Sequence, residues 1–230
     1  MIAGIIVLML LAIYAPQMWV RFVMRRYSRE IPGMPGNGGD FARFLIDELE
    51  LNGVRVEVSD ERGDHYDPQA RMVRLSQTNH DGKSLTAVAV AAHEVGHALQ
   101  DKEGYHWIRL RTRLYPKIRT MERMAVMALG AMPIVTGMLR APTVAVIMVV
   151  AGLTLFFARV GFHVMTLPLE WNASFAKALP IIENGQYVAP GEHAAVKTVL
   201  RAAALTYVAS ALADILSFWR WLLIFRGRWI

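Results

Sequence analysis

The sequence predicts a mainly α-helical membrane protein, in which a small α+β lobe is combined with a transmembrane bundle of about four helices. Hydrophobic residues make up 54% of its 230 residues and the mean hydropathy is +0.30, which exceeds the usual apolar share of a soluble domain. Several apolar runs are long enough to cross a bilayer, and the polar stretch between them shows β-type alternation. We divide the chain into an N-terminal transmembrane anchor (1–24), the α+β lobe (25–120), a transmembrane hairpin (121–166), a connecting region (167–200) and a C-terminal membrane-associated helix (201–230).

The anchor is apolar almost without interruption from residue 2 to residue 23, which is the length of a membrane span. Its basic residues follow the apolar run instead of preceding it, and this order favours a retained anchor over a cleaved signal peptide. They are Arg21, Arg25, Arg26 and Arg29. Because positive charge is enriched on the cytoplasmic side, we expect an integral plasma-membrane protein with its N-terminus outside and its lobe in the cytoplasm.

The lobe follows a turn-rich linker at 31–39, and Asp40 is the expected cap of its first helix. Residues 54–58 alternate strictly and residues 71–75 are compatible with a strand. Two strands or a hairpin are therefore expected, with turn chemistry at 60–68 between them. A run of small residues at 85–99 predicts a buried helix.

Two further apolar runs, 124–139 and 143–164, are separated by a short Arg-Ala-Pro interruption and predict the transmembrane hairpin. The last apolar run, 202–225, carries Asp214 and Arg220. This run can therefore span the membrane, lie in the interface or pack within a bundle.

The segment HEVGH at 93–97 has the HExxH pattern. Residues four apart lie on one face of a helix, so His93 and His97 can bind one metal ion while Glu94 projects beside them. The chain has no cysteine, so such a metal depends on imidazole and carboxylate ligands, and zinc fits that set. Zinc activates a water, and Glu94 can act as the general base of peptide hydrolysis. The alternative is a hydrogen-bonded histidine pair in an apolar core.

A third ligand is required, and the spacing of the metzincin peptidases fails because Gln100 and Glu103 stand where that pattern has Gly and His. Glu170, in a Leu-Pro-Leu-Glu segment that we expect to open a helix, resembles the distant glutamate ligand of the gluzincin peptidases. An ordinary first-turn glutamate, stabilised by the helix dipole, is the alternative. Glu170 can reach the histidines only if an even number of spans separates them, and the predicted hairpin supplies two.

At these residues the chain resembles the YugP-like neutral zinc metallopeptidases, a family of bacterial membrane proteins. The resemblance covers nearly the whole chain and rests on four matching segments: DHYDP with VRLS (64–76), VAAHEVGHALQ (90–100), LPLE with Ala173 and Ser174 (167–174), and AAALTYVA (202–209). It implies a zincin-like lobe and one zinc ion per chain, with His93, His97 and Glu170 as ligands and Glu94 as base. The family usually has Asp two residues after the third ligand, whereas this chain has Asn172 and so lacks one negative charge there.

His65 and Tyr66 are further catalytic candidates, since a strand before the metal-binding helix often forms the cleft edge on which an extended substrate pairs. Turn hydrogen bonding is the alternative for both. Tyr207 lies in a family-like segment and either donates to the transition state or packs in an apolar helix.

The sequence thus predicts a membrane-embedded zinc endopeptidase that acts on a protein or peptide substrate at the lipid bilayer, with membrane or membrane-proximal proteins as substrates. An intramembrane protease is a second enzymatic hypothesis. It is weakened because the HExxH helix is short for a span, contains three ionisable residues and has charges at both flanks. A non-catalytic scaffold braced by zinc is the alternative from another class. The net charge of +6 comes with no interleaved basic and aromatic pattern, so nucleic acid is not an expected partner.

Overall fold

A computed structural model describes residues 2–60, 63–139 and 142–226 of the chain. Long helices dominate it, as predicted, and a three-stranded sheet accompanies them. The α-helices are α1 (Ile2–Arg26), α2 (Gly38–Glu48), α3 (Gln77–Asp81), α4 (Leu85–Lys102), α5 (His106–Leu139), α6 (Pro142–Trp171), α7 (Leu179–Asn184) and α8 (His193–Arg226). A π-helix (Asn172–Ala178) joins α6 to α7, and a 3₁₀-helix (Pro190–Glu192) precedes α8. The strands are β1 (Arg55–Val58), β2 (His65–Asp67) and β3 (Met72–Leu75).

Two helical stretches in the described part of the chain are long and apolar enough to cross a membrane, Val150–Asn184 and Pro190–Leu212. The helix α5 packs against α6, α6 against α8, and α8 against α1. Most side chains before residue 14, at the tip of the predicted hairpin and beyond residue 212 lie outside the described part. The expected bundle of four spans, including the anchor and the C-terminal membrane helix, therefore stays a prediction.

The two strands expected at residues 54–58 and 71–75 are present, but they do not form a hairpin. The strand β1 pairs with β3 in parallel, with Arg55 opposite Met72 and Val58 opposite Leu75. Part of the predicted turn forms β2, which pairs antiparallel with the other side of β3. Alternation indicates which residues face the core, but it does not specify the direction of the partner strand.

The predicted helices of the lobe are present, with one corrected cap. Asn37, not Asp40, is the N-cap of α2, and Asp40 completes a capping box by accepting from the Asn37 backbone N–H. The helix α4 begins after Ser84, whose hydroxyl accepts from the backbone N–H of Ala87, and it ends at Lys102. All but three of its residues are buried, as its many small and apolar side chains predict.

Glu170 does not open a helix, as the sequence suggested, but lies in the last turn of α6. This helix runs through Pro168 to Trp171 and continues directly as the π-helix. In a π-helix each N–H donates to the carbonyl five residues earlier, and here the N–H of Leu179 donates to the carbonyl of Ser174. The widened turn immediately follows the carboxylate that the site requires.

The π-helix lies unusually close to α4, and Gly96 of the HEVGH segment permits this approach. A Cβ atom at position 96 would lie 3.0 Å from the backbone oxygen of Ala173 and 3.4 Å from Cβ of Lys177. Any residue with a Cβ atom at position 96 would crowd the backbone of the π-helix. Backbone atoms in a closely packed interior cannot move freely to relieve such a contact. The glycine therefore sets the distance between α4 and the π-helix, which directly follows the turn that carries Glu170.

We expect Gly96→Ala to lower the midpoint of thermal unfolding, measured by circular dichroism in detergent. The cost of overpacking is about 1–3 kcal/mol. Gly161→Ala is the matched control, because Gly161 also lies within a helix and nothing is within 4 Å of a Cβ placed there. Both changes bring the same gain in helix propensity. Equal midpoints for the two variants would show that the contact with Ala173 has no effect on stability.

Candidate metal centre

Three ligand-type side chains that the sequence singled out converge in the structure. His93 and His97 lie on one face of α4, and Nε2 of each faces Oε2 of Glu170, at 3.1 Å and 3.4 Å respectively. The ligand atoms of the three residues all lie within 4.8 Å of one another, and all three side chains are buried. Two imidazoles and one carboxylate form the donor set of a catalytic zinc site.

A serine hydroxyl defines which nitrogen of His93 carries the proton. The Ser174 hydroxyl donates to the backbone oxygen of Leu200 at 3.2 Å, so its oxygen is left to accept from Nδ1–H of His93, at 3.0 Å. With its proton on Nδ1, His93 presents the lone pair of Nε2 towards Glu170. This is the tautomer that a metal ligand requires.

Gln100 plays the corresponding part for His97. Its amide nitrogen donates to the backbone oxygen of Leu169 at 3.0 Å and to Oδ1 of Asn172 at 2.8 Å. Its carbonyl oxygen therefore accepts from Nδ1–H of His97, at 2.8 Å, and Nε2 is again free to bind a metal. Because Leu169 and Asn172 lie on either side of Glu170, one buried amide orients a histidine and holds the segment of the third ligand.

The hydrogen-bond partners of the two histidines show whether the three residues fit a metal ion. Two imidazole lone pairs and a carboxylate oxygen, all acceptors, point at one another inside the protein. Such an arrangement is repulsive unless a cation lies between them. Burial lowers the pKa of His93, but the hydrogen bond to Glu170 and the charge of Glu94 outweigh it and raise that pKa above its usual value. The donor set therefore fits zinc.

Glu94 lies beside the ligands, as its position between the histidines predicts. Its side chain is buried, and burial raises the pKa of its carboxyl group, although the charges of His93 and His97 oppose the effect. Raised carboxyl pKa values are a feature of general bases that operate near neutral pH.

A cleft of about 450 Å³ lies between β2, α5 and α8, and the metal-ligand candidates do not line it directly. Arg111 connects the two, since its Nη1 donates to Oε1 of Glu170 at 3.2 Å while its guanidinium lies over the ring of Tyr207, 5.6 Å from the ring centre. Arg111, Tyr207 and the two strand candidates, His65 and Tyr66, all line the cleft.

The two candidates on β2, His65 and Tyr66, have different environments in the structure. The Tyr66 hydroxyl donates to Oδ2 of Asp101 at 3.0 Å, and burial, with that hydrogen bond, raises its pKa. Its proton is therefore committed to a contact between β2 and α4. His65 lies on β2, the edge strand of the described sheet, and faces the cleft.

Sequence reasoning missed Arg111, Ser174 and Gln100 as members of the site. Gln100 and Ser174 were noted only as parts of motifs, although a polar side chain one helical turn from a metal ligand is a recognisable signal. For Arg111 the sequence offered no signal, since it is one of several basic residues in the first turns of α5.

Comparison with known proteins identifies the family of this chain. The family described as "Putative neutral zinc metallopeptidase" matches residues 1–226. The chain belongs to this family. It is 38% identical over 213 residues to the "Putative membrane protease YugP" of Bacillus subtilis (strain 168), with 90% of each chain covered. The family implies zinc, and the relative's name together with the two apolar helices supports association with a membrane. No solved structure matches this chain, so the zincin-like classification of its lobe stays a prediction.

We expect wild-type protein to retain about one zinc ion per chain after a mild chelator wash, and Glu170→Ala to lose it. Ser174→Ala should retain the site but bind zinc roughly 10- to 100-fold more weakly, because the Nδ1 proton of His93 loses its acceptor. Elemental analysis measures the first effect and competition with a chromophoric chelator measures the second.

Two variants serve as controls for the zinc measurement. Glu103 is half-exposed and pairs with Lys177 at 2.6 Å, so Glu103→Ala removes a carboxylate without touching the centre. Ser210 donates within its own helix to Thr206, so Ser210→Ala removes a similar hydroxyl. If Glu170→Ala keeps its zinc, Glu170 is not the third ligand. If Ser174→Ala and Ser210→Ala bind zinc equally, the serine does not orient His93.

Proposed function

We propose that this protein is a membrane-embedded zinc-dependent endopeptidase, with His93, His97 and Glu170 as metal ligands and Glu94 as general base. The observation that carries the proposal is the buried Glu94 carboxyl beside three convergent ligands, which Arg111 joins to a cleft. The Lewis-acid chemistry that activates water and polarises a peptide carbonyl would be supplied by the bound zinc.

The protein's own groups then have distinct tasks. Glu94 takes a proton from the attacking water and passes it to the leaving amine, which avoids a covalent intermediate. Arg111 holds Oε1 of Glu170 and leaves Oε2 for the metal. Its remaining N–H groups and the Tyr207 hydroxyl are the candidates for stabilising the developing oxyanion. His65 is retained as a substrate contact, whereas the hydrogen bond of Tyr66 to Asp101 favours a structural role for that residue.

The cleft suits an extended peptide. One side of β2 pairs with β3, and residues 64–69 line the cleft. A substrate strand can add to such an edge through its backbone, largely independently of sequence. The same chain contains two apolar helical stretches that are long enough to cross a membrane. We therefore propose that its substrates are membrane or membrane-proximal proteins.

The alternative is a scaffold braced by zinc without catalysis. Closed structural zinc sites have four protein ligands, whereas the described residues form a group of three. Glu94 has no role in the alternative, and burying its carboxyl group would then be a cost without a function.

We expect Glu94→Gln to keep its zinc and to lose peptide hydrolysis by roughly 10²- to 10⁴-fold, since a neutral amide cannot accept the proton. The assay follows cleavage of a proteome-derived peptide mixture by mass spectrometry, with protein in detergent. Zinc content of the same preparation shows that the site remains assembled.

The matched control is Glu103→Gln, which makes the same exchange at the half-exposed C-cap of α4 and should leave zinc content and cleavage unchanged. Unchanged cleavage by Glu94→Gln would exclude Glu94 as the base. If zinc is bound but neither wild type nor variant cleaves any peptide, the scaffold hypothesis replaces the enzyme.

We also propose that the lobe lies in the cytoplasm, on the basis of the arginines that follow the apolar part of α1. The chain has no cysteine, so single cysteines can report sidedness. Cysteine in place of exposed Ala70 should react with a membrane-impermeant maleimide only after the cells are opened, whereas cysteine in place of Ile2 should react in intact cells. The opposite pattern would reverse the orientation.

A further inference from the structure

A cluster of unpartnered arginines lies at the end of α1, away from the metal centre. Arg21, Arg25, Arg26 and Arg29 line one cavity of about 640 Å³. Among the described residues, none of these four guanidinium groups has an ion-pair partner, although Arg26 lies over the ring of Tyr27 at 6.0 Å. Four like charges in one place repel one another unless an anion lies between them.

The same cavity has an apolar side. Met18 and Phe22 line it and are 67% and 60% exposed. With the arginines they recur every three or four residues, so they form one face of the helix. The cavity therefore presents guanidinium groups and hydrocarbon together, which matches a lipid better than a small hydrophilic anion.

The position of the cluster along α1 fits the headgroup layer of a bilayer. At 1.5 Å per residue, Ile2 lies roughly 28 Å from Arg21 along the helix, close to the thickness of the hydrocarbon core, about 30 Å. The arginines thus begin where the apolar stretch ends. Clusters of basic residues immediately beyond a membrane span attract anionic headgroups.

The cluster is also joined directly to the metal-binding helix. Thr86, in the first turn of α4, donates its backbone N–H to the Tyr27 carbonyl at 3.1 Å and its hydroxyl to the Met24 carbonyl at 3.0 Å. Val23, on the same turn of α1 as the arginines, is buried in the core of the lobe. A ligand held by the arginines would therefore define how α4 is oriented relative to the membrane surface.

We propose that the cavity at the end of α1 binds the headgroup of an anionic phospholipid and thereby docks the lobe on the bilayer surface in one orientation. The phosphate accepts from the guanidinium groups, while the acyl chains lie along Met18 and Phe22. The proposal is independent of peptidase activity, because none of these residues belongs to the metal centre or the cleft.

The test measures lipid binding to the full-length protein in a non-ionic detergent by native mass spectrometry, with dioctanoyl phosphatidylglycerol as the probe and dioctanoyl phosphatidylcholine as the comparison. We expect clear preference for phosphatidylglycerol. Arg21→Gln with Arg25→Gln should weaken its binding roughly 25-fold, taking about fivefold for each basic residue. Arg21→Lys with Arg25→Lys should retain most of the affinity, because the charge is kept.

The control is Arg113→Gln with Lys117→Gln, which removes two exposed cations at the same spacing from α5. Zinc content measured on every variant shows that the lobe remains folded. Equal binding of phosphatidylcholine, or equal loss in the control variant, would overturn the proposal. Displacement of phosphatidylglycerol by inorganic phosphate at similar concentration would also overturn it, since the cavity would then be a site for free anions.

Discussion

The metal centre depends on holding a buried carboxylate against two buried imidazoles from a different helix. Ionisable groups are costly to bury unless each polar atom has a partner, and this centre provides one for each ligand. Oε1 of Glu170 accepts from Arg111, while Nδ1–H of each histidine donates to an amide or hydroxyl oxygen. The remaining atoms, two Nε2 and one Oε2, face one another, and a single cation would stabilise this arrangement.

That convergence is achieved by an irregular backbone at one point. The turn after Glu170 is a π-helix, and Gly96 allows it to contact α4 closely. Ser174 can consequently bridge His93 to the carbonyl of Leu200, which connects α4, the π-helix and α8 through one hydroxyl. π-Helical turns are frequent at functional sites because they displace a side chain from its regular helical position. Asn172 keeps the acceptor that an aspartate would offer to Gln100, but without its negative charge.

The helix α4 connects three parts of the molecule. Its first turn is hydrogen-bonded to the end of α1, its centre carries the histidines, and its last turns contact the edge strand through Asp101 and Tyr66. The end of α1, the candidate metal centre and the wall of the cleft are therefore attached to one rigid element. Because a helix transmits orientation along its length, the position of the end of α1 and that of the cleft are related.

By itself, the sequence determined the apolar helices, the buried helix with its HExxH pair and the distant glutamate, because periodicity and motif spacing are local properties. Only the tertiary structure decided the parallel pairing of β1 with β3, the position of Glu170 at the end of a helix and the parts played by Arg111, Gln100 and Ser174. Each of these depends on contacts between residues far apart in the chain, such as Gln100 with Leu169 and Ser174 with His93. Local preferences cannot specify such contacts, since they arise only when the helices pack.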